Sequence, residues 1–139
     1  GAGEHAVLWE LSLLLGELRA VIEGVSESAT RRKDTRVLTL SSQCVRLMGG
    51  GRIISCKSGK DRTSMSVTAE QVTLLRRHHR LPAGEVSPML EAMRRDGCRM
   101  ENTLKNVGKR GYAFNALQRV LLPSSLRPDA NTTCAGVQS

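Results

Sequence analysis

The sequence predicts an α/β fold, mostly helical, with one strand leading into a tight polar loop. Three observations predict it. Apolar residues recur at helical spacing along most of the 139-residue chain. A short β-branched run, "RIIS" at 52–55, follows the glycine triplet Gly49–Gly51. Directly after it, "CKSGKDR" crowds a cysteine, two lysines, an aspartate and an arginine together before a helix-like run.

The elements follow in order. Glu4–Glu23 reads as an amphipathic helix, with Val7, Leu8, Leu11, Leu14, Leu15, Leu18 and Ile22 at helical spacing and Gly24 as its stop. "SESATRRK" is a polar linker. Asp34 suits the cap of a second helix, whose apolar face holds Val37, Leu40, Cys44, Leu47 and Met48. A strand at "VLTL" is the alternative, but the apolar period continues past Ser41 and Ser42. "RIIS" is the expected buried strand. Arg62–Arg80 is the next helix, with Met65, Ala69, Val72, Leu75 and His79 on one face and "RRHHR" as its basic end. Beyond the turn "LPAG", helices are expected over Glu85–Asp96, Arg99–Val107 and Tyr112–Leu121. Pro123 and Pro128 close the ordered part, and "DANTTCAGVQS" reads as a mobile tail. The organisation is thus an N-terminal helix and basic linker (1–33), a main body (34–128) and a tail (129–139).

Composition narrows the function classes. With 21 basic and 13 acidic residues the chain carries +8, which favours polyanionic partners such as phosphorylated substrates, acidic membrane surfaces or nucleic acid. Trp9, Tyr112 and Phe114 are the only aromatics, too few for a base-stacking platform, so nucleic acid is not expected. Cys44, Cys56, Cys98 and Cys134 form no C-x-x-C pair, and His78 and His79 are adjacent, a poor arrangement for zinc. No metal or cofactor is implied. The apolar stretch Ala6–Ile22 is broken by Glu10, Glu17 and Arg19, so it is neither a membrane span nor a signal sequence. The chain is read as cytoplasmic, and the sequon at Asn131 as unused.

The strand–loop–helix unit has a physical reason to bind phosphate. Loop amides can wrap a tetrahedral anion, and the following helix aims its N-terminal dipole there. Gly59 lets the loop curl, and Arg62 offers a bidentate fork. The same positive field favours the thiolate of Cys56, and Thr63 can donate a hydroxyl bond to that sulfur. The expected catalytic residues are Cys56, Arg62 and Asp61. Lys57, Ser58, Gly59, Lys60 and Thr63 are the expected phosphate-binding set. A Walker A loop does not fit, because Asp61 stands where Ser or Thr should follow the lysine and Ile54 replaces the first glycine.

A strand, C-x5-R, a hydroxyl residue and a helix together resemble the cysteine-dependent phosphatases. "CKSGKDRTSMSVT-EQ", written with Ala69 omitted, resembles the signature of the inositol polyphosphate 4-phosphatases, with Gly59 in place of that family's usual Ala and Ala69 in place of Leu. "MRRDGCRMENTLKNV", "YAFNALQ" and the "RP" at Arg127–Pro128 are also similar to that family, as is "KDTRVLTLSSQCVRLMGGGRIIS" upstream. "CKSGKDRTG" also occurs in bacterial effector phosphatases, but Ser64 replaces its last glycine here.

The resemblance implies a fragment of a cysteine-phosphatase-like domain that removes the 4-phosphate of phosphatidylinositol 3,4-bisphosphate, with soluble inositol polyphosphates as secondary substrates. It further implies peripheral action at membranes, endosomal ones included. Two loop lysines suit a ring bearing several phosphates better than a phosphotyrosine. For the proton donor, Asp34 reads as a helix cap, and Asp61 is preferred. Myotubularin-type and Sac-type lipid phosphatases also carry an aspartate before the loop arginine. The other reading of Asp61 is an ion pair with Lys57 or Lys60. Since one strand cannot make a sheet, the remaining strands are expected upstream of Gly1. The alternative functions are a non-catalytic phosphoinositide-binding module or a cysteine phosphatase of other specificity.

Overall fold

The computed structural model describes residues 1–27, 34–57, 61–98, 104–105 and 108–134. They fall into two units, Gly1–Ile53 and Ile54–Ser139.

In the first unit α1 (Ala2–Glu27) packs against α2 (Arg36–Leu47). The shielded residues of α1 are Leu11, Leu14, Leu18 and Val21, spaced three and four apart, and Leu40 and Cys44 are buried on α2. The helix does not stop at Gly24 as expected. A glycine inside a helix costs only about 1 kcal/mol, and α1 runs on to Glu27. The cap position of α2 is Thr35, not Asp34 as expected; from the residue before it, Asp34 Oδ1 accepts the Arg36 N–H at 2.9 Å, and the carboxylate also pairs with the Arg36 guanidinium. That hydrogen bonding holds the Asp34 carboxyl below its ordinary range. At the other end Gly50 N–H bonds Val45 O at 2.9 Å and Gly49 N–H bonds Arg46 O at 3.0 Å. This Schellman closure needs a left-handed residue, which Gly49 supplies at φ 74°.

The predicted strand is absent, and with it the α/β class: every regular element among the described residues is a helix, with no strand or sheet. "RIIS" is irregular chain, and Ile53 is fully exposed. β-branched residues favour a pleated, half-buried surface, not strand geometry as such. The described residues offer this run no neighbouring strand to pair with. The only β-type pairing among them is an isolated parallel bridge between Tyr112 and Thr133.

The second unit is organised around α3 (Asp61–His79). A 3-10 turn at Ala83–Glu85 leads into α4 (Val86–Ala92), which widens into a π-helical turn over Met93–Gly97. Pro88 is tolerated in the first turn of α4, where its missing N–H has no helical partner. Expected helix 99–107 lies largely outside the described residues. The expected helix from Tyr112 is shorter: α5 spans Ala116–Leu121, because Asn115 caps it reciprocally with Gln118. Residues 111–114 are instead non-helical and buried. Met65, Tyr112 and Phe114 form the core cluster, with Cys98 and Leu122 packed on it.

Part of the tail expected to be mobile is folded. Ala130–Thr132 makes a 3-10 turn, Tyr112 N–H bonds Thr132 O at 2.8 Å, and Cys134 N–H bonds Tyr112 O at 3.0 Å. Gly111 permits this approach: a Cβ there would lie 2.5 Å from Cys134 Sγ.

Candidate functional site

The site is built where irregular chain meets the N-terminus of α3. Cys56 is half-buried just before the loop, and Lys57 is exposed beside it. Ser58, Gly59 and Lys60, three of the expected phosphate-binding residues, lie outside the described residues. Asp61, Arg62 and Thr63 form the first turn of α3. Arg62 is exposed, Thr63 half-buried and Asp61 only 2 % exposed.

The Cys56 N–H donates to Thr63 Oγ1 at 2.9 Å. This hydrogen bond ties the residue carrying the thiol to the first turn of a 19-residue helix, the positive end of its dipole. Thr63 thus accepts from the cysteine amide, and its own O–H remains able to donate.

Asp61 Oδ1 accepts the Ala113 N–H at 3.2 Å, and Ala113 is itself buried. Its Oδ2 is buried with no hydrogen-bond partner among the described residues. The carboxylate therefore staples the start of α3 to the buried strip 111–114. A carboxylate in the first turn of a helix is also favoured by the dipole.

Behind this turn stands a network that the sequence does not announce. Arg94, in the π-helical turn, is 3 % exposed. Its Nε donates to Thr68 Oγ1 at 3.0 Å, and Nη2 donates to Met65 O at 3.3 Å and Ser125 O at 2.5 Å. Nη1 donates to Arg127 O at 2.8 Å. The Tyr112 hydroxyl donates to Arg94 O at 2.6 Å. Burial, then the neighbouring Cys98 thiol, pushes the Tyr112 phenol far above its ordinary value. Burial also pulls the Arg94 guanidinium below its usual range. It remains a cation at any physiological pH. Nothing within "MRRDG" itself marks Arg94. Only the similarity of the longer segment around it singled it out.

A family model described as the INPP4A C-terminal domain matches residues 11–126. The chain belongs to this family. Among members of wider kinship, human inositol polyphosphate 4-phosphatase type II is 42% identical over 118 residues, which is 84% of this chain and 13% of that protein. Rat type II inositol 3,4-bisphosphate 4-phosphatase is also 42% identical over 118 residues, again 84% of this chain and 13% of that protein. The human phosphatidylinositol 3,4,5-trisphosphate-dependent Rac exchanger 2 protein is 40% identical over 74 residues, 53% of this chain and 5% of that protein. No solved structure matches. The chain spans 13% of the length of the phosphatases it matches. The matched INPP4A C-terminal domain region takes in α2, Cys56, all of α3 and Arg94 itself. No helix among the described residues is long and apolar enough to cross a membrane.

Proposed function

We propose that this chain is the nucleophile-bearing part of a phosphoinositide phosphatase that removes the 4-phosphate of phosphatidylinositol 3,4-bisphosphate at a membrane surface. The observation that carries it is the closure of Cys56 onto the first turn of α3 through Thr63 at 2.9 Å, in a chain 42% identical to proteins named as 4-phosphatases. In the proposed reaction the Cys56 thiolate attacks phosphorus. The P–S bond forms as the bond from phosphorus to the ring oxygen breaks. That oxygen leaves with a proton supplied by Asp61. Water then attacks phosphorus and gives a proton to the Asp61 carboxylate, the P–S bond breaks, and inorganic phosphate and the thiolate are released. Arg62, the amides of Lys57, Ser58, Gly59 and Lys60, and the helix dipole bear the charge that develops on the phosphoryl oxygens. Soluble inositol polyphosphates carry the same ring phosphates and are secondary substrates.

The test is phosphate release from a panel of phosphoinositides by the full-length protein and by its Cys56→Ser variant. Turnover of the 3,4-bisphosphate that vanishes in Cys56→Ser is the expected result. Turnover that survives the substitution removes Cys56 from the mechanism.

A second reading is favoured by one observation: a protein named for its dependence on a phosphoinositide shares 74 residues with this chain at 40% identity. In that reading the loop binds headgroups without turning them over. Headgroup affinity that is retained in Cys56→Ser, with no turnover in the parent, selects it.

A further inference from the structure

Arg94 is a buried cation that the proposed chemistry does not use. The four hydrogen bonds it makes among the described residues all go to neutral oxygens, and no carboxylate among those residues pairs with it. Burying a charge without a counter-charge is expensive, and apolar residues of similar volume often serve stability as well or better. An arginine kept in such a place is doing something that packing alone does not require.

Its acceptors show what that is. Met65 O and Thr68 Oγ1 belong to the first turns of α3, while Ser125 O and Arg127 O belong to the turn at 124–127. A planar fork bonded to both fixes the helix in position and rotation. The arginine is itself held, since the Tyr112 hydroxyl donates to its carbonyl and the next residue, Ala113, donates to Asp61. Asp61 and Arg94 therefore each hold one of two consecutive residues, Ala113 and Tyr112.

We propose that Arg94 is a positioning residue: it sets the register of the N-terminal turn of α3, and so the placement of Arg62 and Thr63 against a phosphate held at Cys56. This deepens the phosphatase assignment above and rests on it. Met65 and Thr68 lie about 6 and 10 Å along the helix axis from Asp61, so Arg94 acts through α3 and not by touching substrate. Catalysis is sensitive to such placement, since a shift of about 1 Å can cost about a hundredfold in rate.

The experiment uses the full-length protein and phosphatidylinositol 3,4-bisphosphate in phosphatidylcholine vesicles. Arg94→Lys keeps the charge and loses the fork. It is expected to lower kcat by about tenfold or more while KM stays within about threefold. Added guanidinium is expected to restore part of kcat to Arg94→Ala. Variants whose folded molecules turn over at the parent rate, and lose only thermal stability, overturn the proposal. Should both Arg94 variants fail to fold, Thr68→Val removes one acceptor and leaves the cation in place. A reduced kcat in Thr68→Val supports the proposal, and a parental kcat overturns it. The Cys56→Ser control separates the two levels: residual turnover there sinks the phosphatase assignment itself, whatever Arg94 does.

Discussion

Replacing Asp61 separates two roles that one carboxylate combines. Asp61→Ala leaves the buried Ala113 N–H without its acceptor. An orphaned buried donor costs about 1–3 kcal/mol, and loss of a carboxylate from the first helical turn adds about 0.3–1 kcal/mol. Removing Oδ2, unpartnered among the described residues, offsets part of this, so the expected net cost is about 2 kcal/mol. Asp61→Asn keeps an oxygen for Ala113 and loses mainly the dipole interaction, about 1 kcal/mol or less. The assay is amide hydrogen exchange over 111–114 in the full-length protein. Asp61→Ala should speed local opening about 30-fold, and Asp61→Asn about fivefold at most. Turnover should instead fall about 100-fold or more in both, because neither replacement can give up a carboxyl proton. Exchange as fast in Asn as in Ala refutes the staple. Parental turnover in Asp61→Asn refutes the proton donor.

Other expectations follow from single features. Gly111→Ala forces a Cβ to within 2.5 Å of Cys134 Sγ and should lower stability by about 1–3 kcal/mol, seen as a drop in Tm. Arg80 adopts a left-handed conformation at φ 55° directly after α3, so Arg80→Gly should stabilise by about 0.5–1 kcal/mol in the same measurement. Tyr112 is the only tyrosine of the 139-residue chain. Its folded value lies well above the unfolded value of about 10, so its stabilisation is complete below about pH 10 and is lost as pH climbs from there toward the folded value. Tyrosinate absorbance should therefore rise with unfolding, and a rise near pH 10 in the folded chain counts against burial.

Local signals in the sequence were dependable where one neighbouring residue decides the outcome. The glycines closing α2 and the extent of α3 are of that kind. Other features depend on residues far along the chain. Asp61 looks like one charge among several in its loop, because its partner Ala113 lies 52 positions away. Nothing beside Arg94 marks it, because its acceptors are up to 33 positions off. "RIIS" has the composition of a strand, but composition cannot supply a neighbour to pair with. Tyr112 and Phe114 fall within the expected helix Tyr112–Leu121. Asn115 makes the cap instead, and burial takes the residues before it into the core.

The length of α3 has a consequence for how the molecule could meet a bilayer. Nineteen residues span about 27 Å, with the cysteine loop at one end and the exposed Arg76, Arg77 and Arg80 at the other. Charges that far apart are isolated from each other by salt, whose screening distance is about 8 Å under physiological conditions. A headgroup in the loop therefore gains almost nothing from the distal arginines. Both ends can touch lipid together only if the helix lies flat on the surface. If it stands upright, the arginine end points into water and is left for a different contact.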